Sequence, residues 1–252
     1  MSRLQAVFWD VDGTLADTEL NGHRPAFNRA FSDCGLNWNW GPELYCELLS
    51  IPGGRQRIQS YAEQRGDRVD SGLMDRLRRT KQQHYLQLVS AGAVVLRPGV
   101  RRLLHELNRA GVQHWIVTSS GEASVQALCK SLPGDLNGMF QGMVTADDVD
   151  NHKPHPAPYQ RALELSGTDP SNVVVFEDSS PGLKAACAAG LRCVLTPSPW
   201  DSELEGNQHR AHAVADQLGE IDQETRIFSG PPCAEGRITL EYLELLLSEP
   251  LR

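Results

Sequence analysis

Val7-Phe8-Trp9-Asp10-Val11-Asp12-Gly13-Thr14-Leu15 runs from apolar residues straight into two carboxylates one residue apart, then Gly and Thr. A short continuous apolar run is the pattern of a strand buried on both faces. Asp10 then falls at or just past the strand's carboxyl end. In open parallel sheets, ligands gather outside that end. Two aspartates held so close repel each other unless a cation shares them, so the layout points to a bound Mg²⁺. The other Asp is then free to attack an electrophile or move a proton. An Asp-Gly turn closing a β-hairpin would produce the same run, so the choice between the two readings depends on the rest of the chain.

Three more strand-like runs follow, at Val112 to Val117, Val173 to Phe176 and Cys193 to Leu195, with Ala213 to Leu218 as a last short one. Helical patterns separate them. Val100 to Arg109 is apolar at helical spacing and stops at Gly111. Pro181 to Ala189 stops at Gly190, with Pro181 in its first turn. Strands alternating with helices predict a parallel α/β sheet. The region from about Asn21 to Ala91 differs. It lacks strand patterns, is rich in helix formers, and is punctuated by Gly41-Pro42 and Pro52-Gly53-Gly54. It reads as a helical insertion, with Ala93 to Gly99 returning the chain to the sheet. Near the end, Ser229 to Cys233 reads as a loop and Leu240 to Leu247 as a short helix packed on the core.

At 252 residues, 40% hydrophobic and 22% charged, the chain has the length and composition of one large or two small globular domains. The net charge of −8 argues against a general nucleic-acid or membrane-surface binder. An anionic substrate would have to be drawn in by a local basic cluster. Six cysteines without a CxxC pair fit free thiols in a reducing cytoplasm. No apolar stretch approaches a membrane span. The chain is expected to act as a cytoplasmic monomer.

Three further sites follow strand-like runs or stand near one. Trp115-Ile116-Val117 ends in Thr118-Ser119-Ser120-Gly121, whose hydroxyls and N–H groups open a helix and suit an anion. A helix N-cap would use the same residues. Lys153 sits in Asn-His-Lys-Pro-His-Pro, placed to neutralise a phosphate or simply to meet solvent. Val173-Val174-Val175-Phe176 ends in Glu177-Asp178, two more acids at a strand end. In this order the sites supply what metal-assisted phosphoryl transfer to an aspartate requires: a nucleophile, carboxylates for a cation, and donors around the transferring group.

With these motifs in hand, the chain resembles the haloacid-dehalogenase superfamily over residues 4 to about 197. The matches are Asp10-Val-Asp-Gly-Thr-Leu, Thr118-Ser119, Lys153-Pro-His-Pro and Glu177-Asp178-Ser-Ser-Pro-Gly, running into Leu183 to Gly190. The resemblance implies a Rossmann-like parallel-sheet core, residues 1–18 and 93–252, with an inserted α-helical cap, residues 19–92. It implies Asp10 as nucleophile, Asp12 as general acid/base, and Thr118 and Lys153 as catalytic partners. It also implies Mg²⁺ held by Asp10, the backbone carbonyl of Asp12 and Asp178, with Glu177 supporting. True dehalogenases lack the second acid, so Asp12 favours a phosphatase or mutase.

The cap resembles the CbbY branch, whose members resemble phosphatases of xylulose 1,5-bisphosphate. The matches are Asp17 to Asn28, Trp38-Asn-Trp40 with Tyr45 and Leu48-Leu49, Gly53-Gly54-Arg55-Gln-Arg57-Ile58, Lys81, and Leu96-Arg-Pro-Gly99; Arg55 stands where Lys is expected. The partner implied is a small phosphorylated sugar. A sugar bisphosphate needs a second anion site, and Arg55 and Arg57 beside the glycine pair would form a fork for it. Glu19 and His23 follow the first motif closely enough to reach substrate, and Lys81, Ser119 and Ser120 complete the expected binding set. Trp38 and Trp40 are expected in the cap's own core, and Arg76, Arg78 and Arg79 on a solvated face. A mutase of the β-phosphoglucomutase type and a phosphoglycolate phosphatase are the alternatives.

Overall fold

The computed structural model describes residues 4–51, 53–136, 138–198, 206 and 208–251; Pro52 of the expected Pro-Gly-Gly turn lies outside them. Seven strands form one sheet: β1 (Ala6–Trp9), β2 (Gln113–Val117), β3 (Phe140–Val144), β4 (Val173–Glu177), β5 (Arg192–Leu195), β6 (Ala213–Ala215) and β7 (Ile227–Ser229). Their order is β3-β2-β1-β4-β5-β6-β7, all parallel except the antiparallel pair β6–β7. The connections run outward from β1 to β3, then cross back to place β4 on the other side of β1. The topological switch therefore lies between β1 and β4, where a crevice opens at the strands' carboxyl ends. Trp9 pairs with Phe176 in register, so the next residues, Asp10 and Glu177, flank that crevice together.

The continuous apolar character of β1 follows from burial on both faces. Val7 and Trp9 join Ile116, Val174 and Phe176 in one hydrophobic cluster, while Ala6 and Phe8 join Val117, Val173 and Val175 in the other. Trp9 stacks on Phe176 at 4.5 Å between ring centroids. Burying each such side chain contributes about 1.5–3 kcal/mol, which fixes β1 and β4 together and with them the acids at their ends. Helices α5 (Val100–Arg109), α6 (Glu122–Ser131) and α9 (Leu240–Ser248) cover the first face; α7 (Ala157–Ser166) and α8 (Ser180–Ala188) cover the second.

Between β1 and α5 the described residues add no strand to the sheet, and their helices are a π-helical turn (Glu19–His23) running into α1 (Arg24–Asp33), then α2 (Pro42–Leu49), α3 (Gly54–Arg65) and the long α4 (Ser71–Ser90). Asp70 caps α4 by accepting from Leu73 N–H at 2.7 Å. These helices enclose a separate aromatic cluster that includes Phe27, Phe31, Trp38, Trp40, Tyr45 and Tyr61. Trp38 and Trp40 are core residues, as expected, and Arg76, Arg78 and Arg79 are exposed. The last turns of α4 leave this cluster and bring Tyr85, Leu88 and Val89 into the main core. The two linkers to the sheet run side by side: Asp17 N–H donates to Val95 O at 3.1 Å and Arg97 N–H to Leu15 O at 2.9 Å.

Several elements differ from the sequence reading. The strand beginning at Ala213 ends at Ala215, two strands were not anticipated, and Ser229 closes β7 rather than opening a loop. In β3, Phe-Gln-Gly-Met-Val lacks a β-branched run because Gly142 lies under the Trp115 ring, where a Cβ would come within 2.3 Å. β7 is a three-residue edge strand carrying little pattern. All six cysteines are free thiols. Among the described residues no helix is long and apolar enough to cross a membrane.

Candidate active site

Asp10, Glu177 and Asp178 bring one carboxylate oxygen each within 4.8 Å of the others, all three residues buried. Lys153 lies among them. Its Nζ donates to Asp10 Oδ1 at 2.7 Å, Glu177 Oε1 at 2.6 Å and the Val117 carbonyl at 2.8 Å. Burial alone would depress the ammonium; the Asp10 and Glu177 charges outweigh it and hold Lys153 above its ordinary value. Burial, reinforced by Glu177 and Asp12 and opposed by Lys153, pushes Asp10 up to about 7. Burial, then Asp10 and Glu177, also raises Asp178 well above the carboxylate range. Three acids sharing one ammonium leave a negative excess that a divalent cation would neutralise. The donor set of hard oxygens suits Mg²⁺. Space is tight: Gly13 has φ +85°, and a Cβ there would come within 2.1 Å of Asp178 Oδ2.

Asp12 faces the other way. Its Oδ1 accepts from Thr18 Oγ at 2.5 Å and from His23 Nε2 at 3.2 Å, and its Oδ2 accepts from Ser120 Oγ at 2.5 Å. Burial would raise this carboxyl, yet these donors together hold it well below the usual range. Lys81 Nζ lies 2.9 Å from His23 Nδ1. With the ammonium donating to Nδ1, the His23 proton sits on Nε2 and points at Asp12. The His23 ring also stacks on Tyr85 at 4.2 Å. Both Glu19 and His23 lie on the π-helical turn, a local form often found at functional sites.

The expected hydroxyl cradle divides. Thr118 is buried, and its Oγ1 accepts from Ser120 N–H at 3.1 Å, leaving its own proton to donate. Ser119 is exposed, and the contact to Asp12 is made by Ser120. The loop is fastened from behind, since Ser120 O accepts from Ala146 N–H at 3.0 Å and Asp147 accepts from Glu122 N–H at 2.8 Å.

On the helical side, Glu19 Oε2 accepts from Tyr45 OH at 2.5 Å. Burial pulls Lys81 down to about 8 against the charges of Glu19 and Asp12. Arg57 is buried and donates to Leu48 O at 2.9 Å, Ile51 O at 3.3 Å and Tyr45 OH at 3.3 Å. Arg55 is exposed and lies 3.9 Å from Asp75. The expected arginine fork therefore does not form. Residues two apart on α3 point about 200° apart around the axis, so one guanidinium turns inward and the other outward. Gly54 is explained by packing, since a Cβ there would come within 2.9 Å of the Phe27 ring.

Residues 7–196 match the haloacid dehalogenase-like hydrolase family. This chain belongs to that family. It is 39% identical to the protein CbbY of Cupriavidus necator over 207 residues, covering 79% of this chain and 81% of that protein. It is 37% identical to CbbY of Cereibacter sphaeroides over 217 residues, covering 85% and 91%. A crystal structure of a CbbY mutant from Rhodobacter sphaeroides in complex with xylulose-(1,5)bisphosphate superposes with a TM-score of 0.75 at 33% identity, covering 87% of this chain and 98% of that one.

For a haloacid dehalogenase-like hydrolase, three partners here were not singled out from the sequence. Tyr159, on α7, donates its OH to Glu177 Oε1 and lies 5.3 Å beneath the Lys153 ammonium. Thr18 holds Asp12. Arg97 grips the backbone of several loops. Glu177 is fully buried, with Lys153 and Tyr159 both on Oε1, so it acts on the cluster chiefly through Lys153. The Asp12 carboxylate, occupied by its own donors, stands outside the acidic triad. The fourfold order of motifs made the triad readable; Tyr159, six residues after Lys153 in a stretch for which no element was expected, carried no comparable signal.

Proposed function

We propose that this chain is a Mg²⁺-dependent phosphatase that removes one phosphate from a small sugar bisphosphate, best xylulose 1,5-bisphosphate, through an aspartyl-phosphate on Asp10. One observation carries the reading: Asp10 and Asp12 leave the same strand end into separate environments. Asp10 is buried in the acidic triad against Lys153, and Asp12 is held by hydroxyls and His23 on the helical side. A nucleophile and a proton carrier require that separation. CbbY relatives and the xylulose-(1,5)bisphosphate complex of one of them support the substrate class.

Asp10, Asp178 and the backbone carbonyl of Asp12 would hold the Mg²⁺, which supplies positive charge between the carboxylates and the phosphoryl oxygens. Lys153 and Thr118 donate to the same oxygens. An Asp10 carboxylate oxygen bonds to phosphorus as the ester P–O bond breaks, and the leaving sugar oxygen takes a proton from Asp12. Asp12 is held as the anion here. The incoming phosphate dianion raises its proton affinity, and the protonated carboxyl can then act as the acid. In the second half Asp12 takes a proton from the water that attacks phosphorus, releasing phosphate and restoring Asp10.

Residues 19–92 act as the cap in this reading. Arg57 and Lys81, which flank Glu19, are the cations for the distal phosphate, and Arg55 is dropped from that role. The test is phosphate release from a panel of sugar mono- and bisphosphates with and without Mg²⁺. Asp10→Asn should abolish release while leaving the melting temperature near that of the parent chain. Undiminished release by Asp10→Asn, or activity that survives chelation, would refute the mechanism. An isomerised sugar phosphate without phosphate release would identify a mutase instead.

A further inference from the structure

Two loops supply the acids. The Asp10–Gly13 loop leaves β1, and Glu177–Asp178 ends β4. Gly13 lies so close against Asp178 that their spacing has no slack. The Arg97 guanidinium joins these two loops from outside the cluster. Its Nη1 donates to Gly13 O, to Thr196 O at 2.7 Å and to Thr196 Oγ1 at 3.2 Å; its Nη2 donates to Asp216 O at 3.0 Å. Thr196 in turn donates its N–H to Glu177 O at 2.7 Å. One side chain thus fastens the loop after β1 to the loops after β5 and β6, and through Thr196 to the end of β4. Arg97 is also fixed at its own backbone, where its N–H meets Leu15 O at 2.9 Å in the paired linkers. Besides Lys153, Arg97 is the cation whose charge bears on Asp178.

We infer that Arg97 is a positioning residue for the metal cradle: it sets the distance between the Asp10–Gly13 loop and Asp178, and thereby the affinity for Mg²⁺, without touching substrate. This rests on the metal-dependent reading given above. Outer partners that orient ligands typically change metal affinity by about ten- to a hundredfold when removed. Arg97 provides several backbone tethers at once.

The test compares the parent chain with Arg97→Met, which keeps the stem and removes charge and donors, and with Arg97→Lys, which keeps the charge and one donor group. Two readouts are taken: the rise in melting temperature on titrating Mg²⁺ without substrate, and the Mg²⁺ dependence of p-nitrophenyl phosphate hydrolysis. Half-saturating Mg²⁺ should rise about ten- to a hundredfold in Arg97→Met and by less in Arg97→Lys. The KM for p-nitrophenyl phosphate at saturating Mg²⁺ should stay within about twofold of the parent's, as expected for a residue acting on the metal rather than on substrate binding. If Arg97→Met fails to fold, Arg97→Lys carries the comparison. A parent chain that responds to Mg²⁺ together with variants of unchanged half-saturation would overturn the inference alone. A parent chain indifferent to Mg²⁺ in both readouts would overturn the metal-dependent reading on which it rests.

Discussion

Replacing Gly182 by Ala probes the buried support of Lys153 directly. Gly182 lies in the first turn of α8, over the Glu177 carboxylate. A Cβ there would stand 1.9 Å from Oε2, 2.0 Å from Cδ and 2.3 Å from Oε1. Glu177 is fully buried, held by Lys153 at 2.6 Å and by Tyr159, so it has nowhere to turn. If the carboxylate is displaced, a buried ion pair breaks, at a cost of about 3–5 kcal/mol. If α8 shifts instead, overpacking costs about 1–3 kcal/mol. The cheaper route sets the floor, so a loss of about 2 kcal/mol is expected, or a fall in Tm of about 4–8 °C for a chain of this size. Helix propensity by itself predicts the opposite, a gain of about 1 kcal/mol from Gly→Ala. Urea unfolding of Gly182→Ala, Glu177→Ala and the double variant separates the causes. Glu177→Ala removes the three atoms nearest the new methyl, so Gly182→Ala should cost much less in that background. Gly134→Ala, whose Cβ meets nothing within 4 Å, serves as the control. Parent-like stability of Gly182→Ala, or an equal loss in both backgrounds, would refute the reasoning.

Two further expectations follow from buried cations and bases. His114 is fully buried, accepts from Trp9 Nε1 at 3.2 Å, and is pulled by burial from 6.5 down to about 4. The unfolded chain then binds the extra proton between those values, so stability is full above pH 6.5 and falls by about 3 kcal/mol as pH drops toward 4. His114→Gln, compared with the parent by urea unfolding across that window, should lose this part of the slope; an unchanged difference from pH 7.5 to 4.5 would count against it. Arg57→Ala should lower kcat/KM for a sugar bisphosphate about ten- to a hundredfold, and that for the matched monophosphate much less, while Arg55→Ala leaves both near the parent's. Equal losses on both substrates for Arg57→Ala would reduce its role to pinning Leu48 O and Ile51 O.

The sequence discloses the acid-bearing loops well because each is tied to a strand end. Val7 to Trp9 and Val173 to Phe176 are apolar for one reason, burial on both sheet faces, and that burial fixes Asp10 and Glu177 side by side. The separate aromatic core around Trp38 and Trp40 is legible in the same way. Long side chains with several possible partners were harder to read. Arg57 and Arg55 share a composition signal, yet helical geometry sends one to backbone carbonyls and the other to solvent. Ser119 and Ser120 are chemically alike, and the turn alone decides that Ser120 meets Asp12. Tyr159 and Arg97 act through partners far away in sequence, which no local spacing encodes.

The paired linkers bear on how much the insertion between them can change. The chain leaves the sheet at Asp17 and returns at Val95, hydrogen-bonded to each other at 3.1 Å. The ends of the insertion are therefore joined already, whatever lies between them. Loop-closure entropy grows only logarithmically, about 0.6 kcal/mol for each doubling of length, so a longer, shorter or differently folded insertion would burden the sheet very little. The aromatic cluster within the insertion lets it hold its own shape. The insertion can thus drift, expand or be exchanged wholesale at this junction, while the carboxylates and Lys153 at the strand ends stay in register.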